Sequence, residues 1–152
     1  MSVVVRTIAR IVLPVGLAFG AYVIMHGHLT PGGGFQGGAV VASLVALIVV
    51  TFGAERLVRA KTWFSVVEDL GALAFVALAF LGIGVTFFRN VLANSGGLFG
   101  ASVPLGPNPG ILNSAGTLPL MNWAVGFKVI AGLGAVVLLL ALFGKGGEGE
   151  DG

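Results

Sequence analysis

Five side chains are of types that could pass a proton or hold a cation: Lys128, Glu68, Asp69, His26 and His28. Lys128 lies inside the apolar run Leu120 to Phe143, about two helical turns, or roughly 10 Å, from its start. An ionisable group at that depth in a bilayer is costly and is a functional hypothesis by default. Two roles are open to it: relaying a proton or cation, or pairing with a carboxylate. Glu68 and Asp69 are consecutive, so on a helix they point about 100° apart and cannot both face one site. Either they are interfacial acids suited to the positive end of a helix, or one of them, Glu68 ahead of Asp69, faces a proton or sodium path. The run Val66 to Phe88 puts them near its start, at the opposite depth from Lys128, so no direct Glu68–Lys128 pair is expected. His26 and His28 are two residues apart and would point to opposite sides of a helix, a poor clamp for a metal ion. They either bond loop carbonyls as structural groups or exchange protons at a mouth, since histidine as a residue type titrates near neutrality.

Other chemistry finds no support. The chain has no cysteine, which removes disulfides, thiolate zinc sites, iron–sulfur ligation and thiol catalysis. No Ser–His–Asp set, paired-carboxylate site or HExxH helix stands out. The glycine run near the histidines lacks the Gly-Lys-Ser/Thr of a phosphate loop and follows no strand. No basic patch supports nucleic-acid binding. The expectation is a non-enzyme without cofactor or metal.

The elements that must position these groups follow from composition. Hydrophobic residues make up 57% of the chain and charged residues 9%, with a mean hydropathy of +1.05. A soluble domain carries about a quarter charged residues, so the chain is expected to be all-α and to lie in a membrane. Four spans are predicted. The first is Val3 to Met25, whose uncharged part, Ile11 to Met25, reaches the roughly 20 residues of a span only if Arg6 and Arg10 snorkel. Its basic start also has the layout of a signal peptide, but the small-residue sites lie inside the apolar run. Pro14 should kink it mildly, and Gly16 and Gly20 suit close helix contact. Gly37 to Gly53 is the second span, followed by a charged loop, Ala54 to Ser65. Val66 to Phe88 is the third. Asn90 to Pro119 is a long, nearly uncharged loop (S-G-G, P-L-G-P-N-P-G, N-S-A-G), expected to lie against neighbouring protein. Leu120 to Phe143 is the fourth span, so residues 1–143 form one transmembrane domain. The acidic tail 144–152 should be disordered. Arg6, Arg10, Arg56, Arg59, Lys61 and Lys145 collect at the end holding both termini, which predicts a multi-pass cell-membrane protein with both termini inside.

Between the first two spans stands His26 to Gly38, H-G-H-L-T-P-G-G-G-F-Q-G-G. Pro31 with Gly32, Gly33, Gly34, Gly37 and Gly38 reads as a tight reversal, with the next helix starting near Phe35 or Gly37.

This stretch closely resembles the signature of the MrpB/MnhB family, the small four-span subunit of Mrp-type multisubunit cation/proton antiporters. Glu68 to Phe75 (E-D-L-G-A-L-A-F) and Asn122 to Val129 (N-W-A-V-G-F-K-V) also look like the family pattern, and Lys128 matches its intramembrane lysine. The resemblance covers Val3 to Phe143. It implies an ion-translocating assembly whose partners are other membrane subunits, with sodium ions and protons as cargo. The subunit type recurs in membrane-bound hydrogenases and in related sulfur-reducing or formate-linked complexes. His-Leu-Thr at 28–30 and Phe-Gln-Gly-Gly at 35–38 look closer to the hydrogenase-associated branch, which implies a redox arm as a further partner. The family's small subunit looks like a scaffold, with completion of a sodium route at a subunit interface as an added role; the alternatives are a subunit of a free-standing antiporter and a purely structural scaffold with no ion contact. Lys128 and Glu68 are the residues this points to.

Overall fold

The structure is a computed structural model, and it describes residues 2–101 and 112–146. It is all-helical, with four helices long and apolar enough to cross a membrane. α1 is Val3–Met25, α2 Gly33–Phe52, α3 Lys61–Ala79 and α4 Thr117–Gly146. 3-10 helices at Ala54–Ala60 and Phe80–Gly82 flank α3.

The four helices stand in a row rather than a closed bundle. α2 packs between α1 and α4, and α4 packs between α2 and α3. α1 meets α4 over a short stretch, and α2 and α3 make no contact among the described residues. Small residues set the spacing. A Cβ on Gly20 would come within 3.2 Å of the Gly37 carbonyl oxygen, and one on Gly16 would run into the Leu44 side chain, so the small-residue face of α1 lies on α2 as its spacing implies. α1 passes through Pro14 as one continuous helix.

Little of this row is buried. The apolar cluster of Val49, Ala54 and Leu138 gathers Leu57, Phe64 and Leu142 at the end that holds the termini. Large apolar side chains such as Leu140 (69% exposed) and Val15 (66% exposed) face outward. In water this would be an aggregation surface; in lipid it is the expected exterior, because every helical backbone group is bonded internally. The fold is that of a multi-pass membrane protein.

Several boundaries differ from the sequence reading. α2 begins at Gly33, earlier than Phe35 or Gly37, so four of the supposed turn glycines are helical. Tertiary contact outweighs poor helix propensity there. Ala54 to Ser65 is not a loop: a 3-10 turn leads directly into α3 at Lys61. The third span stops short of Phe88. The chain reverses at Gly84 (φ 99), the Phe88 amide donates to the Ala79 carbonyl at 2.9 Å, and Phe87 and Phe88 fold back onto Phe80 and Phe75. α4 gains a turn at its start and runs on to Gly146. The P-L-G-P-N-P-G part of the long loop, and the tail beyond 146, lie outside the described residues.

Candidate functional site: a lysine–glutamate pair at mid-membrane depth

α3 and α4 run antiparallel and come into close backbone contact at Gly71. A Cβ there would lie 2.8 Å from the Ala124 carbonyl oxygen, 2.9 Å from the Lys128 amide nitrogen and 3.1 Å from the Lys128 Cβ. One turn away, the Glu68 carboxylate lies beside Gly132. This register brings Lys128 Nζ to 3.9 Å from Glu68 Oε1, with the two side chains 49% and 39% exposed. The pair corrects the expectation that the two lie at opposite depths. Both helices start earlier than their apolar runs suggest, which moves both residues inward. Lys128 is eleven residues into α4 from Thr117, and Glu68 seven into α3 from Lys61, about 16 Å and 10 Å along the respective axes.

One end of the helix row is marked by other contacts. Phe52, the last residue of α2, lies between the Arg10 and Arg56 guanidiniums at 6.0 and 5.7 Å, cation–π contacts typical of an interfacial aromatic. The Val49–Leu138 contact places this level near Ala141 of α4. Lys128 is therefore about 20 Å from that end and about 16 Å from the Thr117 end. Asp69 shares the depth of the pair but is exposed, and among the described residues no cation pairs with it.

The histidines belong to a separate site at the far end. His28 Nε2 is 2.8 Å from Ser114 Oγ, a hydroxyl of the loop before α4. The His26 ring stacks on Tyr22 at 5.3 Å. Among the described residues no three His, Asp or Glu gather as a metal site. Pro31 stands at the reversal. Gly32 takes φ 104, a left-handed conformation that glycine adopts freely. Gly34 packs its α-carbon on the Asn122 backbone, where a Cβ would collide with the Asn122 carbonyl oxygen. Gly33 meets the Asn122 side chain, Gly37 meets α1 at Ile24, and Gly38 meets Val129 of α4. The glycine signature thus seats the start of α2 against α1 and α4.

The described parts of the long loop close over this turn. Asn113 donates its amide to the Met25 carbonyl at 3.3 Å, and the Trp123 indole donates to Asn113 Oδ1 at 3.3 Å. Asn90 Nδ2 donates to the Ala115 carbonyl at 2.8 Å, while its Oδ1 accepts from the Thr117 amide and hydroxyl at 2.9 and 3.2 Å. Asn90, Asn113, Ser114 and Asn122 were not singled out from the sequence. Their signal was present: polar amides and hydroxyls in a nearly uncharged loop must find partners in protein.

The chain matches the family described as a domain related to the MnhB subunit of Na+/H+ antiporter, over residues 4–135. It belongs to that family. A Methanocaldococcus jannaschii protein described as uncharacterized is 36% identical over 133 residues, covering 82% of this chain and 47% of the relative. The Staphylococcus aureus protein named "Putative antiporter subunit mnhB2" is 38% identical over 73 residues, covering 47% of this chain and 52% of the relative. The chain thus spans about half the length of each.

Proposed function

We propose that this MnhB-family chain is a non-catalytic subunit of an Na+/H+ antiporter assembly, and that the Lys128–Glu68 pair borders its ion path. The observation that carries the reading is the pair itself. A 3.9 Å contact between half-exposed charges well inside two apolar helices supports it, because ionisable groups at such depth mark candidate ion or proton pathways. Bordered by a second subunit and water, the same pair can exchange a proton or repel and release a cation. The six basic residues at the end that holds both termini support an orientation with that end inside the cell. His26 and His28 then stand at the outer surface.

The chain is too sparsely polar to carry ions by itself and depends on other membrane subunits. The wording of the motif at 28–30 and 35–38 favours a form of the assembly joined to a redox arm of the hydrogenase type. Co-purification from native membranes tests this, because a nickel–iron or iron–sulfur subunit identifies the redox-linked form and its absence the free-standing one. The ion-path reading is tested with the whole assembly in proteoliposomes under a sodium gradient, following lumenal pH. Lys128→Ala and Glu68→Gln should each lower exchange at least tenfold while every subunit still co-purifies. Unchanged exchange returns the pair to a structural role.

A further inference from the structure

α3 is the end helix of the row, and its side turned away from α4 is bare. Thr62, Val66, Asp69, Leu73 and Val76 recur at alternating steps of four and three residues, and all five are exposed, Leu73 at 64%. That alternation is the spacing of a seam between two helices crossing at about 20°. Lipid could cover the apolar members without any partner. It cannot cover Asp69. The carboxylate hangs one carbon from the backbone, so it cannot snorkel as a lysine does, and it sits at the depth of the Lys128–Glu68 pair. That pair neutralises itself, which leaves Asp69 as the uncompensated charge on this face.

We propose that the α3 seam is the docking surface for a transmembrane helix of another subunit that presents a lysine or arginine to Asp69. Charge selects this occupant over the two simpler ones. Lipid tails offer the carboxylate nothing. A second copy of this chain, packed seam to seam, would set Asp69 against Asp69, and like charges facing one another oppose association. The inference rests on the chain being a subunit of a membrane assembly, and it adds which face meets the neighbour and what the neighbour carries.

The absence of native cysteine makes the test direct. In the assembled complex in native membranes, Leu73→Cys is labelled with a benzophenone maleimide, irradiated and mapped by mass spectrometry, with Leu140→Cys on α4 as a comparison. The expected adduct from position 73 is a transmembrane peptide of a different subunit containing Lys or Arg within about one helical turn. Asp69→Lys should cut co-purification of that subunit at least tenfold, and exchanging its basic residue for Asp should restore it. Adducts to lipid alone, to a second copy, or to a span lacking a basic residue overturn the proposal, even where the subunits co-purify. A chain that purifies without partners refutes the assembly reading, and this proposal falls with it.

Discussion

Gly71→Ala is the sharpest test of the register that builds the lysine–glutamate pair. The added methyl carbon would lie 2.8 Å from the Ala124 oxygen, 2.9 Å from the Lys128 nitrogen and 3.1 Å from the Lys128 Cβ, against 3.4–4 Å for ordinary contact. Two of the three neighbours are backbone atoms and cannot rotate aside. α3 must therefore retreat from α4 by about half an ångström, since packed interiors have no slack to absorb a methyl. Overpacking of this kind costs about 1–3 kcal/mol. Gly144→Ala is the matched control: its Cβ would meet nothing within 4 Å, and alanine is the better helix former by up to about 1 kcal/mol. In thermal unfolding of the detergent-solubilised assembly, Gly71→Ala should melt about 2–12 °C below the parent. Gly144→Ala should melt at or above it. The same variant should weaken any effect of Glu68→Gln, because a 3.9 Å contact that opens further is no longer a pair. If Gly71→Ala melts no lower than Gly144→Ala, the close α3–α4 approach is wrong, and the Lys128–Glu68 contact loses its basis.

Three further outcomes follow from other contacts. Asn90→Ala removes three hydrogen bonds that one amide makes to Ala115 and Thr117; it should cost about 1–3 kcal/mol, read as faster proteolysis of the loop before α4. Ser114→Ala removes the hydroxyl 2.8 Å from His28 and should destabilise by about 1 kcal/mol, with the same loop showing faster amide hydrogen exchange. Phe52→Leu deletes the ring beneath Arg10 and Arg56 and should cost about 1–2 kcal/mol in all, seen as a lower melting point that Phe52→Tyr restores.

What could be read in the sequence, and what could not, divides along a physical line. Properties that each segment carries by itself were legible: the number of spans, from apolar length; the Gly16/Gly20 face, from small residues one turn apart; the break after Met25, from Pro31 and its glycines. Properties that need two segments at once were not. Apolar length locates a span but not the first residue of its helix, and the charged leader Ala54–Ala60 and Lys61 are helical although polarity marks them as loop. Starting both helices earlier, which moves both residues inward, reversed the conclusion about Glu68 and Lys128. The amides of Asn90 and Asn113 act at a distance in sequence, so periodicity cannot find their partners.

The open row explains why the polar residues sit where they do. In a closed bundle a lysine, a glutamate and an aspartate at one depth would face a common interior and could satisfy one another. In a row there is no interior. Each helix has two broad faces in the layer plane, and the end helices have a third. Glu68 reaches along the α3–α4 seam to Lys128, while Asp69, about 100° further round the same helix, points off the end of the row. The order α1, α2, α4, α3 therefore sorts two adjacent carboxylates into different surroundings: one meets a cation of its own chain, and the other stays exposed on the outer face of α3.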